Sequence, residues 1–260
     1  MGGAGSRAEG PPDAAMLARV RRDGATDHVA VELPLEIRLN GEPVAVTMRT
    51  PGDDFALAAG FLFGEGVIAG PPRVGLGAGL EANTVDVVAP GAKPPSSRRF
   101  YTSSSCGVCG KGALEEVAVR APRVTSPIRV GRGLLARLPG LLHQPAFERS
   151  GGLHATGLFT VEGELLAVRE DIGRHNAMDK VIGQALLDGA LPLADRLLCV
   201  SGRLAFELVQ KAAIAGAPVL VGVGAPTSLA VELAEDRGIT LAGFARGEAV
   251  NVYAHPERLE

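Results

Sequence analysis

The chain has 260 residues, enough for one large domain or two small ones with a sizeable buried core. Hydrophobic residues make up 46% and charged residues 21%, and the formal net charge of −3 excludes a charge-driven nucleic-acid binder. Gly, Arg or Asp breaks every apolar run short of the roughly 20 residues that a membrane-spanning helix needs, so no membrane-embedded segment is expected.

Residues 1–27 open with MGGAGSRAEGPPDAA, rich in Gly, Pro and Ala and lacking the apolar core of a secretory signal, and are expected to be a disordered tail. The MGGAGS start also fits the bare N-myristoylation pattern, which a tail of this composition meets by chance. Residues 29–50 alternate apolar and polar side chains around Asn40-Gly41, a dipeptide that accepts positive φ, and predict a β-hairpin. After Thr50-Pro51-Gly52, Asp53 and Asp54 are placed to cap and complement a short, buried, apolar helix over 55–66. The Gly- and Pro-rich stretch 70–97 holds one expected strand, 84–88. Helices are predicted over 111–120 and, despite Pro139, over 132–144.

A second hairpin is expected over 153–160 and 165–170, followed by an amphipathic helix over 172–189. Strands 196–202, 218–224 and 239–244 then alternate with helices 203–216 and 226–238 in a βαβαβ pattern. These strands are continuously apolar, as in a sheet covered on both faces, and each helix ends at Gly. The reading is an α/β protein: a layered mixed sheet with helices on both faces in 146–260, preceded by a β-rich region, 28–145.

The region 28–145 carries the stretch TSSSCGVCGKG, residues 102–112. Its Cys106 and Cys109 supply half of a zinc site, but no second CxxC or HxxxH offers the other half, and Cys199 lies inside an apolar strand. A zinc deaminase would show H-x-E before P-C-x-x-C, whereas Ser105 precedes Cys106 here. A thioredoxin-like dithiol at a helix N-terminus fits the spacing. A carrier fits the surrounding serines and glycines, since a pliable loop suits a thiolate that takes up sulfur as a persulfide. Arg98, Arg99 and Lys111 flank the pair, either to stabilise a thiolate or simply as solvated charges. With three cysteines and no export signal, the thiols are expected to be reduced, in a cytoplasm.

Other polar groups cluster at strand ends. In REDIGRHNAMDK, residues 169–180, Asp171 is placed to cap a helix, Arg174 and Lys180 to meet phosphates and His175 to relay protons; a solvated helix start reads the same way. Ser201-Gly202-Arg203 closes one strand and opens a helix, where backbone N–H groups receive anions. His154, at a strand entry, is a weaker candidate.

The motifs SSSCGVCGK, GGLHATGLF, REDIGRHNAMDKVIG, SGR and GFARGEAVNVYAHPERL, in this order, resemble the FdhD/NarQ family, the formate dehydrogenase accessory sulfurtransferases, over roughly residues 29–259. The resemblance implies a cytoplasmic homodimer with a cytidine deaminase-like core. It further implies that sulfur is accepted from a cysteine desulfurase and passed to the molybdenum cofactor, bis-molybdopterin guanine dinucleotide, before that cofactor enters formate dehydrogenase. By the same resemblance Cys106 bears the persulfide with Cys109 as its partner, no permanent metal is held, and the cofactor-binding stretch is Phe244, Ala245, Arg246, Gly247, Glu248 and Ala249. Arg174, His175, Ser201 and Arg203 join it as candidate cofactor-binding residues, on the strand-end argument above.

Overall fold

The computed structural model describes residues 15–76, 83–93, 100–102 and 121–260. Two sheets and the helices between them make up the body. The first strands, β1 (Leu17–Arg22) and β2 (Ala25–Ala30), form an antiparallel ribbon. Both strands reach into the span 1–27 expected to be a tail: the Asp23-Gly24 pair takes positive φ and turns the chain back between them.

A five-stranded sheet follows, built from β3 (Leu33–Leu39), β4 (Glu42–Arg49), β5 (Arg73–Gly75), β6 (Thr84–Val88) and β7 (Phe100–Thr102) in the order β5-β6-β3-β4-β7. The β3–β4 hairpin turns at Asn40 and Gly41, both at positive φ, as their side chains predict. Leu35, Ile37 and Leu39 point inward at period two and bury completely against α1 (Asp54–Gly64), whose Leu57, Ala58 and Leu62 are equally buried. Asp53 does not cap α1. It adopts a left-handed conformation and pairs with Arg169 at 3.1 Å, while Asp54 takes the fully buried Arg49 through two hydrogen bonds of 2.9 and 2.8 Å.

The chain resumes at Ala121 and passes through α2 (Arg132–Arg137), a 3-10 turn (Leu138–Leu141) and α3 (Pro145–Ser150). The single helix expected over 132–144 is thus broken, because Pro139 tightens its second half into 3-10 geometry. Of the two helices predicted in this stretch, the one over 111–120 lies outside the described residues.

The larger, six-stranded sheet has the order β13-β12-β11-β10-β8-β9. Its strands are β8 (His154–Thr160), β9 (Leu165–Asp171), β10 (Arg196–Val200), β11 (Val219–Gly222), β12 (Thr240–Arg246) and β13 (Ala249–Ala254). The helices α4 (Arg174–Leu187), α5 (Phe206–Ile214) and α6 (Ser228–Arg237) connect them. Strands β10, β11 and β12 run parallel; β8, β9 and β13 are antiparallel additions. Leu198, Val200, Leu220 and Leu241 face Met178, Val181, Leu208 and Leu233 of the three helices. The alternate residues Leu197, Cys199, Val219 and Val221 face Leu135 and Leu138 on the opposite side. The fold is therefore mixed α/β, and its larger sheet is covered on both faces. Each fully buried Leu or Val contributes roughly 1.5–3 kcal/mol.

The expected boundary at 145/146 is not where the packing divides. Val130 exchanges backbone hydrogen bonds with the C-terminal segment, and Arg132 donates to the Val250 carbonyl at 2.9 Å, so the chain from Ala121 onward belongs to the larger sheet. Helices α1 and α4 cross so closely that a Cβ on Gly60 or Gly183 would lie inside the carbonyl groups of Asp179 or Ala56. Only glycine permits that approach.

Candidate functional site

Parallel strands bring their carboxyl ends to one edge of a sheet, and three loops meet there. Loop 201–205 follows β10, loop 223–227 follows β11, and the turn into β13 follows β12. Backbone hydrogen bonds stitch them together: Gly224 N–H donates to Gly202 O at 3.0 Å, Leu204 N–H to Ala225 O at 3.0 Å and Phe244 N–H to Gly224 O at 3.2 Å. A Cβ at Gly202 would press on the His154 ring at 3.3 Å, and one at Gly224 would meet the Arg203 backbone at 3.1 Å.

At this edge α4 begins with Arg174 and His175. Its N-cap, Gly173, has no capping side chain, so the first turn keeps its N–H groups for another acceptor. Asp171, expected as the cap, instead lies wholly buried two residues earlier. One of its carboxylate oxygens accepts from Gly173 N–H at 2.8 Å and Asn176 Nδ2 at 3.0 Å; the other accepts from Thr50 N–H and meets Lys180 Nζ at 2.8 Å. Lys180 donates further to the carbonyls of Thr50 and Glu170 and is 1% exposed. It cannot meet a phosphate, because its position six residues into the helix points it at the core.

The remaining polar groups converge. His154 lies at the start of β8 directly across from Asp171. Burial, then the Arg174 guanidinium, lowers its pKa. His175 is pushed down to about 3 by burial, and further by Arg174, Lys211 and His154. Both imidazoles are therefore neutral near pH 7. Glu207, on α5, stands 3.8 Å from His175 Nε2, beyond hydrogen-bond distance. Among the buried polar atoms of the described residues that have no hydrogen-bond partner, three lie at this edge: Arg174 Nε, His175 Nε2 and Thr156 Oγ1. The Ser201 hydroxyl accepts from Ala155 N–H at 2.9 Å, which ties β10 to β8, and keeps its own proton to donate. Arg203 is exposed at the mouth. The sequence singled out Arg174, His175, Ser201 and Arg203 as candidates, and the fold brings them to one edge. It gave no signal for Thr156 or Glu207, which look like an ordinary strand threonine and a helix-surface acid.

The stretch 244–249 is the tip of the β12–β13 hairpin, a strand pair that sequence reading did not anticipate. Phe244 is half exposed at φ 54°, an outlier for a bulky residue. Gly247 makes the turn at φ 61°, with Arg246, Glu248 and Ala249 exposed beside it. Ala245 is different: it is completely buried within the core on the α2 side, so its side chain cannot touch a ligand.

Cys106 and Cys109, with Arg98, Arg99 and Lys111, lie outside the described residues. The strand before them does not. β7 runs parallel to β4 with Thr102 opposite Thr47, and Thr47 Oγ1 donates to Asn176 Oδ1 at 3.4 Å. Asn176 sits in the same turn of α4 as Arg174 and His175. Cys106 follows Thr102 by four residues, a span of at most about 14 Å.

Cys199 is fully buried and burial pushes its thiol pKa up, so it is an inert hydrophobe, as expected. Among the described residues no group of three or more His, Cys, Asp or Glu could hold a metal ion, and no helix is long and apolar enough to cross a membrane. Two surface grooves of about 550 and 470 Å³ flank residues 69–71; among the described residues Arg73 is their only titratable lining side chain, so these residues offer little chemistry.

The model of the FdhD/NarQ family matches residues 30–260. The chain is 52% identical to the sulfur carrier protein FdhD of Streptomyces avermitilis, with 92% of each chain covered. It is 51% identical to that of Mycobacterium tuberculosis, with 89% and 91% covered. It is also 43% identical to that of Sulfolobus acidocaldarius, with 92% and 94% covered. Its structure resembles the crystal structure of a protein from Desulfotalea psychrophila assigned as a formate dehydrogenase accessory protein, with a TM-score of 0.73, 29% identity, and 94% and 97% of the chains covered.

Proposed function

The chain belongs to the FdhD/NarQ family, and from that membership we propose that it is a sulfur carrier in formate dehydrogenase maturation, working through a persulfide on Cys106. In this reading the Cys106 thiolate attacks the terminal sulfur of a persulfide on a cysteine desulfurase. The desulfurase S–S bond breaks, the desulfurase leaves as a thiolate, and the sulfane sulfur moves without net oxidation. Attack of the Cys109 thiolate on the Cys106 sulfur then expels hydrosulfide. The transferred sulfur takes up two electrons as the two cysteines become a disulfide. The acceptor is the molybdenum cofactor, bis-molybdopterin guanine dinucleotide, bound as substrate at the carboxyl edge of the larger sheet.

The observation that carries the reading is the position of β7. The strand leading into the cysteine pair ends beside Thr47 of β4, and Thr47 in turn reaches Asn176 in the α4 turn that presents Arg174 and His175. Phe244 offers a ring for a planar heterocycle, and Arg203 and Arg246 offer planar cations for phosphate. The protein acts in the cytoplasm, as a homodimer, alongside the desulfurase and formate dehydrogenase.

Mass spectrometry of the loop peptide after incubation with a cysteine desulfurase and cysteine tests the central step. One or more added sulfur atoms on the peptide holding Cys106 are expected; an unmodified peptide overturns the reading. Replacing Cys106 by alanine separates it from a cofactor chaperone that uses no persulfide, since such a chaperone still yields active formate dehydrogenase. A dithiol oxidoreductase is distinguished by reduction of protein disulfides without affinity for guanine nucleotides.

A further inference from the structure

We propose that the first turn of α4 and the β10–α5 turn together form a subsite for one compact anion, with Arg174 and Arg203 as its cations and His154, His175 and Thr156 as its hydrogen-bonding partners. This deepens the function proposed above and rests on reading the carboxyl edge as the acceptor-binding face. The shared chemistry is a small, multiply accepting anion: the phosphate of a nucleotide substrate, or the terminal sulfur anion of a persulfide brought in from the end of β7.

Four observations converge on it. The α4 N-terminus has no side-chain cap, and its partial positive charge faces the site. Thr156 is 0% exposed with an unpartnered Oγ1. On β8 it lies between His154 and Leu158 on the face that α4 covers, one repeat inward from the His154 ring. A buried hydroxyl without a partner is uncommon and costs stability unless something occupies the place it serves. Arg174 Nε and His175 Nε2 are unpartnered in the same way. Finally, the glycine at position 202 lets the β10–α5 turn, and Arg203 with it, come close to the His154 ring, since a Cβ there would stand 3.3 Å from Nδ1.

The balance of charge favours an anion. Asp171 is matched by Lys180, and Asp179 by Lys211 at 2.7 Å, so neither carboxylate neutralises the two arginines. Glu207 on α5 is the remaining acid facing His175, and it stands outside hydrogen-bond distance. The groups around the two imidazoles are therefore Asp171 from β9, Arg174 from α4, Arg203 from the β10–α5 turn, and Glu207 and Lys211 from α5. An anion placed among them offsets the arginine field that helps hold His175 neutral. Binding is then coupled to a rise in the His175 pKa, and affinity increases as pH falls.

Calorimetric titration of the full chain with inorganic phosphate and, separately, with thiosulfate tests the subsite. Thiosulfate carries a terminal sulfur anion on an S–S bond that does not protonate near neutral pH. At least one anion is expected to bind. Arg203→Gln, at an exposed position, weakens it about tenfold. Thr156→Val weakens it less, and imidazole NMR shows the His175 pKa rising on saturation. Binding of phosphate alone assigns the subsite to a nucleotide phosphate, binding of thiosulfate alone assigns it to persulfide sulfur, and binding of both establishes the shared anion site. No binding of either, an affinity unchanged in both Arg174→Gln and Arg203→Gln, or an unmoved His175 pKa overturns the inference. Sulfur transfer is not the readout, so a missing persulfide on Cys106 removes the proposed function while leaving this result standing, and the converse also holds.

Discussion

The two ends of the charged stretch at the start of α4 carry the same kinds of side chain in opposite states. At Lys180 every polar atom is spoken for: its ammonium meets Asp171, Thr50 and Glu170, all buried. At Arg174 and His175, one helical turn and a half earlier, buried nitrogens have no partner. Completeness of hydrogen bonding, more than residue type, separates a structural charge from one held ready for a ligand.

Removing one member of the complete network breaks that contrast most severely. Lys180→Met leaves Asp171 charged and buried without its cation and is expected to cost about 3–5 kcal/mol in urea unfolding. Asn176 joins the two ends, donating to Met48 O at 2.8 Å and to Asp171. Asn176→Ala should cost about 1–3 kcal/mol by the same measurement, because the Met48 carbonyl loses its 2.8 Å donor and keeps only the longer Thr47 hydroxyl contact, and Asp171 loses a donor as well.

The open end responds to pH instead. Because the folded His175 pKa is lowered to about 3 from 6.5, the unfolded chain binds the extra proton between those values. The resulting stability is complete above pH 6.5 and falls with decreasing pH, approaching about 1.4 kcal/mol per pH unit. Asp179 has the opposite sign: burial, opposed by Lys211, raises its pKa to about 6 from 3.8, so its contribution falls as pH rises across that window. The informative quantity is therefore the unfolding free energy of wild type minus that of His175→Asn at pH 7 and pH 5, and the difference should shrink at the lower pH. Smallest of all, Arg203→Gln should change thermal stability by no more than about 0.5 kcal/mol, because the side chain is exposed. A large loss there would place Arg203 in the structural class and erase the distinction.

Much of this was legible beforehand. Asn40-Gly41 announced its hairpin, Thr84–Val88 its strand, and the apolar alternation after residue 196 the βαβαβ core, since each signal is local and matches the period of its element. The second hairpin arm, AVNVYA, is apolar at five of its six positions and carried no alternation, and the Arg246-Gly247 before it is a weaker turn signal than Asn-Gly; β13 is an edge strand with four of the six residues exposed or partly so. Lys180 was misassigned for a different reason. A lysine in a polar run reads as solvated, and nothing in the linear order shows that Thr50 and Asp171 will close around it. Thr156 and Glu207 carried no signal, because an orphaned hydroxyl is defined only by what fails to surround it.

By itself the sequence determined the periodic elements, the turn at Asn40-Gly41, the family-bearing motifs and the polar strand ends, since propensity and alternation act over neighbouring residues. The tertiary structure decided which charges are paired, that Ala245 belongs to the core, and that the strand before the cysteine pair ends beside Thr47, which bonds to Asn176 in the α4 turn of Arg174 and His175. Burial and pairing depend on residues more than a hundred positions apart, as with Thr47 and Asn176, and only packing brings those together.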